Sequence, residues 1–128
     1  MRVVGDFSEF HDAQFMGIRI IENEVIELEF LKVNGERTIL TLRGVTRMRA
    51  QDFREGNVVL DVHLSKVSRT ARPLVEDLLG ADDPTVSKVL DHAIQDGLLI
   101  LEVNPSYGCS LLALCSRVET GAVSLRKQ

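Results

Sequence analysis

The sequence predicts an α+β fold in which a strongly curved antiparallel sheet, or two small stacked sheets, carries one inserted pair of helices. Residues 14–66 contain several short runs in which apolar and polar side chains alternate with a period of two. Helical periodicity is confined to residues 73–96, and strand-like runs resume from residue 98. Because the helices interrupt the strands once and do not alternate with them, a doubly wound parallel sheet is excluded.

The hairpin of residues 25–43 is the element that the sequence defines best. Its turn, Val33-Asn34-Gly35, separates two runs of strand-forming residues. A two-residue loop would place Glu27 and Glu29 opposite leucines, whereas a three-residue loop with Gly35 in the left-handed position pairs apolar side chains with each other. This second register predicts four cross-strand pairs, which are Leu28 with Leu40, Ile26 with Leu42, Phe30 with Thr38, and Lys32 with Glu36.

The other strands follow from the same alternation and from turn residues between the runs. We expect strands at residues 14–21, 57–66, 98–103 and 109–118, extended chain at 44–50, and a short last strand at 122–125. Residues 98–101 are apolar on both faces, so this strand should be covered on both sides. Residues 104–108 are predicted to form a five-residue hairpin loop, and residues 119–121 a turn. The apolar face of the strand at 57–66 is predicted to carry Val58, Leu60, Val62 and Leu64.

Two helices are predicted between the two groups of strands. The first covers residues 74–79, with Pro73 suited to its first position, and stops at Gly80. The second is capped by Asp83 and ends before Gly97. Its apolar stripe indicates a helix that packs one face on the sheet, and the stripe consists of Val86, Val89, Leu90, Ala93 and Ile94.

Length and composition indicate one globular domain, residues 1–128, that works in the cytoplasm. The chain is 45% hydrophobic and carries a net charge of −4 from 19 acidic and 15 basic residues. This acidic balance argues against nucleic-acid binding. No apolar run reaches the roughly 18 residues of a membrane span, and the N-terminus lacks the apolar core of a signal peptide.

Two residue groups have plain structural interpretations. Cys109 and Cys115 would lie about 20 Å apart in one strand, too far for a disulfide, so we expect packed thiols. The densest basic grouping is interpreted as a solvated strand face whose charges are answered by acids such as Glu27. That grouping consists of Arg43, Arg47, Arg49 and Arg54.

The chain contains no motif for nucleophilic catalysis or for phosphate or dinucleotide binding, so no catalytic residue and no cofactor are predicted. One constellation has metal-binding chemistry, namely His11 and Asp12 together with Asp61 and His63. Asp61 and His63 share a strand face, and a mixed imidazole and carboxylate set suits zinc or iron. It supports an alternative function, a small metal-dependent or hydrolytic enzyme. The competing interpretation leaves Asp61 and His63 as ordinary exposed positions and lets His11 and Asp12 fix the strand entry through backbone hydrogen bonds.

Tyr107, Glu27 and Glu29 are the candidates for protein binding. Tyr107 is the only tyrosine and lies in a predicted loop, where an exposed aromatic ring suits an interface anchor. Alternatively, its ring folds back onto the sheet. Glu27 and Glu29 lie on the mixed face of the hairpin, which also allows a third function, a self-associating domain. In that case the contact with a second copy would use Val25, Leu31 and Ile39.

Three segments carry a resemblance to known proteins, and they are Phe10-His11-Asp12-Ala13 before a strand, residues 44–53, and Asn104-Pro105-Ser106-Tyr107-Gly108. Together they resemble a type of small bacterial domain near the immunity proteins of polymorphic toxin systems, which begin with a similar His-Asp-Ala strand entry. The resemblance covers the first half of the chain and the Tyr107 loop, and it supplies no catalytic residues. It implies a cytoplasmic protein that binds and blocks another protein. We therefore expect a non-enzymatic, immunity-like, protein-binding module.

Overall fold

A computed structural model describes residues 2–3, 7–80 and 83–122 of the chain. Within these residues the strands are β1 (Arg2–Val3), β2 (Gln14–Glu22), β3 (Val25–Leu31), β4 (Arg37–Arg43), β5 (Arg47–Gln51), β6 (Val58–Lys66), β7 (Leu99–Tyr107), β8 (Ser110–Cys115) and β9 (Arg117–Ala122). The α-helices are α1 (Arg72–Leu79) and α2 (Asp83–Gln95), and short 3-10 turns occupy Ser8–Phe10 and Arg69–Ala71. The protein is thus mostly sheet, with a helical pair inserted between β6 and β7.

The strands form one antiparallel sheet that curves strongly. Its order is β5-β8-β7-β6-β2-β3-β4-β9, and β1 adds to β6. The edge strands β5 and β9 come from the same corner of the molecule, because β4 continues into β5 through residues 44–46 and β8 continues into β9 through Ser116. At this corner the Ser116 amide donates to the Arg43 carbonyl at 2.8 Å, and the Thr46 amide donates to the Leu114 carbonyl at 3.0 Å. The predicted antiparallel sheet with one inserted helical pair is confirmed, and the meeting of its two ends at this corner fits the predicted curvature.

The sheet encloses one apolar core and carries a second core on its outer side. At the centre of the inner core, the rings of Phe15 and Phe30 stack at 4.8 Å, and Phe10 meets Phe30 edge-on at 4.9 Å. The outer core fills the space between the helices and the outer faces of β7 and β8. Ile100 belongs to the outer core and its neighbour Leu101 to the inner one, and both are fully buried. Coverage of this strand on both sides is therefore confirmed.

The hairpin β3–β4 has the register that the three-residue loop predicts. Leu28 pairs with Leu40, and the Ile26–Leu42 and Phe30–Thr38 pairs follow in the same register. Gly35 has a φ of +88°, as the bulge position requires. Beside the turn, Lys32 Nζ lies 2.6 Å from a Glu36 carboxylate oxygen, so the predicted ion pair is present as well.

Three predictions about the C-terminal strands are wrong. Residues 104–107 are not loop but continue β7, and the connection to β8 shrinks to Gly108 and Cys109. The predicted strand at 109–118 is broken at Ser116, and residues 119–121 lie within β9 and not in a turn. Pairing with β4 keeps β9 extended, a tertiary constraint that local turn propensity does not contain. The predicted last strand at 122–125 lies outside the described residues beyond its first position.

A bulge overturns part of the predicted face assignment in β6, and β2 contains a similar irregularity. In β6 the pairing with β7 jumps from Val59 to Asp61, so Leu60 is an extra residue and 45% of it is exposed. Val59 takes the buried place that the alternation gave to Leu60. In β2 a similar shift around Met16 leaves that side chain exposed and buries Phe15. A bulge inverts the alternation beyond it, and a single sequence does not mark where it occurs.

Both predicted helices are present, and α1 begins at Arg72, two residues before the predicted start. Helix α1 has a proline in its first turn and ends at Gly80, whose φ is +55°. Helix α2 begins at Asp83, although the proposed cap falls on a side chain outside the described residues. After α2, Gly97 adopts a φ of +67°, and the Leu98 amide donates to the Ala93 carbonyl at 2.9 Å. This C-terminal turn directs the chain into β7.

Candidate functional site

An exposed aromatic and basic cluster lies where β7 ends beside the loop that precedes β6. Tyr107, the last residue of β7, is 56% exposed, and the guanidinium of Arg54 lies over its ring at 5.7 Å from the centroid. Phe53 is 45% exposed and meets the buried ring of Phe15 edge-on at 5.6 Å. We call Phe53, Arg54 and Tyr107 the Tyr107 surface. The ring of Tyr107 therefore does not fold back into the core.

The buried side chain of Asn57 fixes the shape of the loop that precedes β6. It uses four hydrogen bonds, donating to the carbonyls of Phe15 at 3.2 Å and Arg54 at 2.6 Å. Its Oδ1 accepts from the amides of Arg54 at 2.8 Å and Cys109 at 3.0 Å. Gly108 has a φ of +88°, and a Cβ there would overlap the Asn57 side chain. One amide group thus ties the loop, β2 and the β7–β8 connection together.

Beneath this loop lies Cys109, whose chemistry is that of a packed thiol. Burial raises the pKa of Cys109, an effect that a hydrogen bond from the Gln51 backbone partly opposes. Cys115 lies in the same inner core, and burial raises its pKa to about 11. Both cysteines are free and buried. Since the thiolate is the nucleophile, these two residues stay protonated and unreactive near neutral pH.

Glu27 and Glu29 lie on the outer face of β3, each beside an arginine on a neighbouring strand. Arg19 donates to Glu27 at 3.2 Å, and Arg37 donates to Glu29 at 2.8 Å. The two glutamates line a groove of about 340 Å³ together with Arg19, Gly17, Ile18 and Ile39. Their charges are compensated within the face, so this surface is mixed in character and does not form an acidic patch. The apolar residues proposed for self-association, Val25, Leu31 and Ile39, are half-buried on the same face.

The acidic partner of Arg43 in the structure differs from the one that the sequence predicts. Arg43 does not pair with Glu27 but donates to Glu119 of β9 at 3.0 Å. That hydrogen bond is the main reason why the pKa of Glu119 is lowered, and Arg117 adds to the effect. Near the turn, the hydrogen bonds that Lys32 donates to Glu36 and Glu9 raise the pKa of Lys32. These shifts belong to ion pairs that hold strands together.

The four candidate metal ligands form two separate pairs. Asp61 and His63 share a face of β6 as predicted, with His63 Nε2 at 3.2 Å from Asp61 Oδ1. His11 donates from Nδ1 to the Leu60 carbonyl at 2.7 Å and lies 3.7 Å from Asp12. Among the described residues, no three histidine, cysteine or acidic side chains come together in a way that would hold a metal ion.

The bond from His11 instead gives the strand entry a structural explanation. Asp12 has a φ of +63°, and its amide donates to the Val59 carbonyl at 2.9 Å. His11 and Asp12 therefore attach the start of β2 to β6 at the Leu60 bulge. This is the backbone-fixing role that the alternative interpretation of the His-Asp pair predicts.

Sequence reasoning missed Phe53, Arg54 and Asn57 as parts of one site with Tyr107. The only signal was the polar turn at residues 54–57, which predicts a bend but not its partners. Comparisons with protein-family models, with curated proteins and with solved structures returned no match for this chain. Among the helices that the structure describes, none is long and apolar enough to cross a membrane.

Proposed function

We propose that this protein is a non-enzymatic binding module that recognises another protein through the Tyr107 surface. The observation that carries the proposal is the exposed Tyr107 ring at the end of β7, covered by Arg54 from a loop that also carries Phe53 and is held by four side-chain hydrogen bonds. Tyrosine and arginine dominate the residues that contribute most to protein interfaces. A loop that is already ordered loses little conformational entropy when a partner binds, which favours affinity.

The immunity-like role follows from the resemblance of the His-Asp-Ala entry and the Tyr107 segment, and it makes the partner a protein that is inhibited on binding. The compensated pairs at Glu27 and Glu29 make their face a secondary contact in this proposal. We infer a cytoplasmic location, which the two free, buried thiols support because that compartment keeps thiols reduced.

The test places a photoreactive amino acid at position 107 in cells that produce the protein. We expect one discrete crosslinked partner, and we expect Arg54→Ala to reduce that adduct because the guanidinium orients the ring. Val33, which is more exposed than Tyr107 and lies at the β3–β4 turn, is the matched control position. The proposal is wrong if positions 107 and 33 give the same products or none, and an adduct of twice the chain mass would favour self-association.

A further inference from the structure

A second candidate site lies at the other end of β7, where α2 ends against the start of β5. The cleft there encloses about 200 Å³, and its floor is apolar, built from Val89 and Ala93 of α2 and from Leu98 and Leu114. Thr46, Arg47, His92 and Asp96 form its rim. We call this site the α2 cleft. It lies about 25 Å along β7 from Tyr107, so it does not depend on the proposed function.

The charged residues of the rim are not paired with each other. No described residue forms an ion pair or side-chain hydrogen bond with Arg47, His92 or Asp96. Arg47 and Asp96 border the same cleft, yet no nitrogen–oxygen distance between them falls within the 4.0 Å of an ion pair. The expected salt-bridged basic face therefore does not include Arg47. A positive and a negative group thus remain available on opposite elements around an apolar floor.

Both sides of the cleft are fixed by backbone hydrogen bonds. On the sheet side, the Thr46 amide donates to the Leu114 carbonyl at 3.0 Å, and Arg47 pairs directly with Leu114 across β5 and β8. On the helix side, the Asp96 amide donates to the His92 carbonyl at 2.9 Å, and the left-handed Gly97 turns the chain towards Leu98. The separation between Arg47 and Asp96 is therefore a property of the fold, not of two mobile side chains alone.

We propose that the α2 cleft binds a free aliphatic α-amino acid. Its carboxylate would lie at Arg47, whose guanidinium suits a carboxylate through two parallel hydrogen bonds. Its ammonium group would lie at Asp96, beside the C-terminal end of α2, where the helix dipole favours positive charge. The aliphatic side chain would cover Ala93 and Leu114 on the floor.

Size and charge together select this ligand class. A volume of about 200 Å³ lies below the roughly 300–1,000 Å³ of sites for drug-sized ligands, so the occupant is small. An aliphatic carboxylate alone would offer no positive group to Asp96 next to the helix end, and an aliphatic amine alone would offer no negative group to Arg47. A zwitterion with an apolar side chain satisfies both charged groups and the floor.

The experiment titrates the full chain with L-leucine and follows its backbone amides by NMR. We expect saturable shifts at the amides of residues 46–47 and 96–98, with a Kd on the order of 1 mM for so open a site. Three analogues test each contact separately: glycine lacks the side chain, 4-methylpentanoate lacks the ammonium group, and isopentylamine lacks the carboxylate. Each should bind at least about tenfold more weakly than L-leucine.

Matched variants show whether the named residues hold the ligand. Arg47→Gln and Asp96→Asn should each weaken L-leucine binding at least about tenfold, while thermal unfolding confirms that both variants fold. Arg19→Gln and Asp91→Asn make the same chemical changes outside the cleft, the second on the same helix, and should leave binding unchanged. The proposal is overturned by the absence of saturable shifts at about 10 mM L-leucine, by equal binding of a singly charged analogue, or by equal effects of cleft and control variants.

Discussion

Cys115 ties the stability of the whole fold to pH through one buried thiol. Its side chain is fully buried at the end of β8, and burial raises its pKa from the ordinary 9.0 to about 11. Between these two values the unfolded chain has lost the thiol proton while the folded protein still holds it. The folded state then binds more protons, so this contribution to the free energy of unfolding falls as the pH rises.

The variant Cys115→Ala measures this contribution. We expect the free energy of unfolding of the unmodified protein to fall about 1 kcal/mol more than that of the variant between pH 8 and pH 10, in reducing buffer. Urea unfolding at several pH values gives both curves. Between pH 6 and pH 8 neither state releases the thiol proton, so the two curves should run parallel there. Parallel curves up to pH 10 would contradict the assignment.

At the scale of elements, two turns with the same backbone angle place different demands on glycine. Gly35 and Gly108 both have a φ of +88°. A Cβ on Gly35 would point into open space, whereas one on Gly108 would overlap Asn57. Comparing these two positions therefore separates the cost of the left-handed conformation from the cost of the close approach.

We expect Gly35→Ala to lower the free energy of unfolding by about 1 kcal/mol, the cost of left-handed backbone alone. Gly108→Ala should cost at least about 3 kcal/mol, because the Asn57 side chain must shift and lose buried hydrogen bonds. Chemical denaturation of both variants gives the comparison. Equal losses would show that Asn57 yields without cost and that the loop is less firmly held than its hydrogen bonds indicate.

The distance along the chain between contacting residues decides which parts of the fold can be predicted from the sequence. The β3–β4 register, the helix ends at Gly80 and Gly97, and the Asp61–His63 pair depend on neighbours within one or two elements, so local pattern predicts them. The Leu60 bulge and the four hydrogen bonds of the Asn57 side chain depend on segments that are distant in sequence. Tyr107 was predictable as an exposed aromatic, but the presence of Arg54 and Phe53 beside it was not.

At the scale of the whole molecule, the two cores share strands and so share stability. The residues of β7 and β8 alternate between the cores, with Leu111 facing inward and Leu112 outward. The helices cannot detach without exposing the outer sides of these central strands. The inserted helical pair is therefore part of the cooperative unit and not an appendage of the sheet.

Leu90→Ala tests this coupling, since Leu90 lies on α2 in the outer core. We expect a loss of about 3 kcal/mol, with helix and sheet signals still disappearing in one transition. Circular dichroism follows the helices, and NMR signals of β3 and β4 follow the far side of the sheet. Leu60→Ala is the control, because an exposed leucine should cost less than about 1 kcal/mol. Loss of helical signal at lower denaturant than the sheet signal would show two independent units.

The corner where β4 bends into β5 and β8 bends into β9 has a consequence for synthesis in the cell. Its hydrogen bonds join residues 43–46 to residues 114–116, which a ribosome produces long after the first hairpin. Until that late segment emerges, the inner faces of β3 and β4 lack part of their cover and stay exposed to other nascent chains. Long-range pairing of this kind slows folding. The β3–β4 hairpin, although it is the element that the sequence defines best, is therefore fully covered only after the last strands have been synthesised.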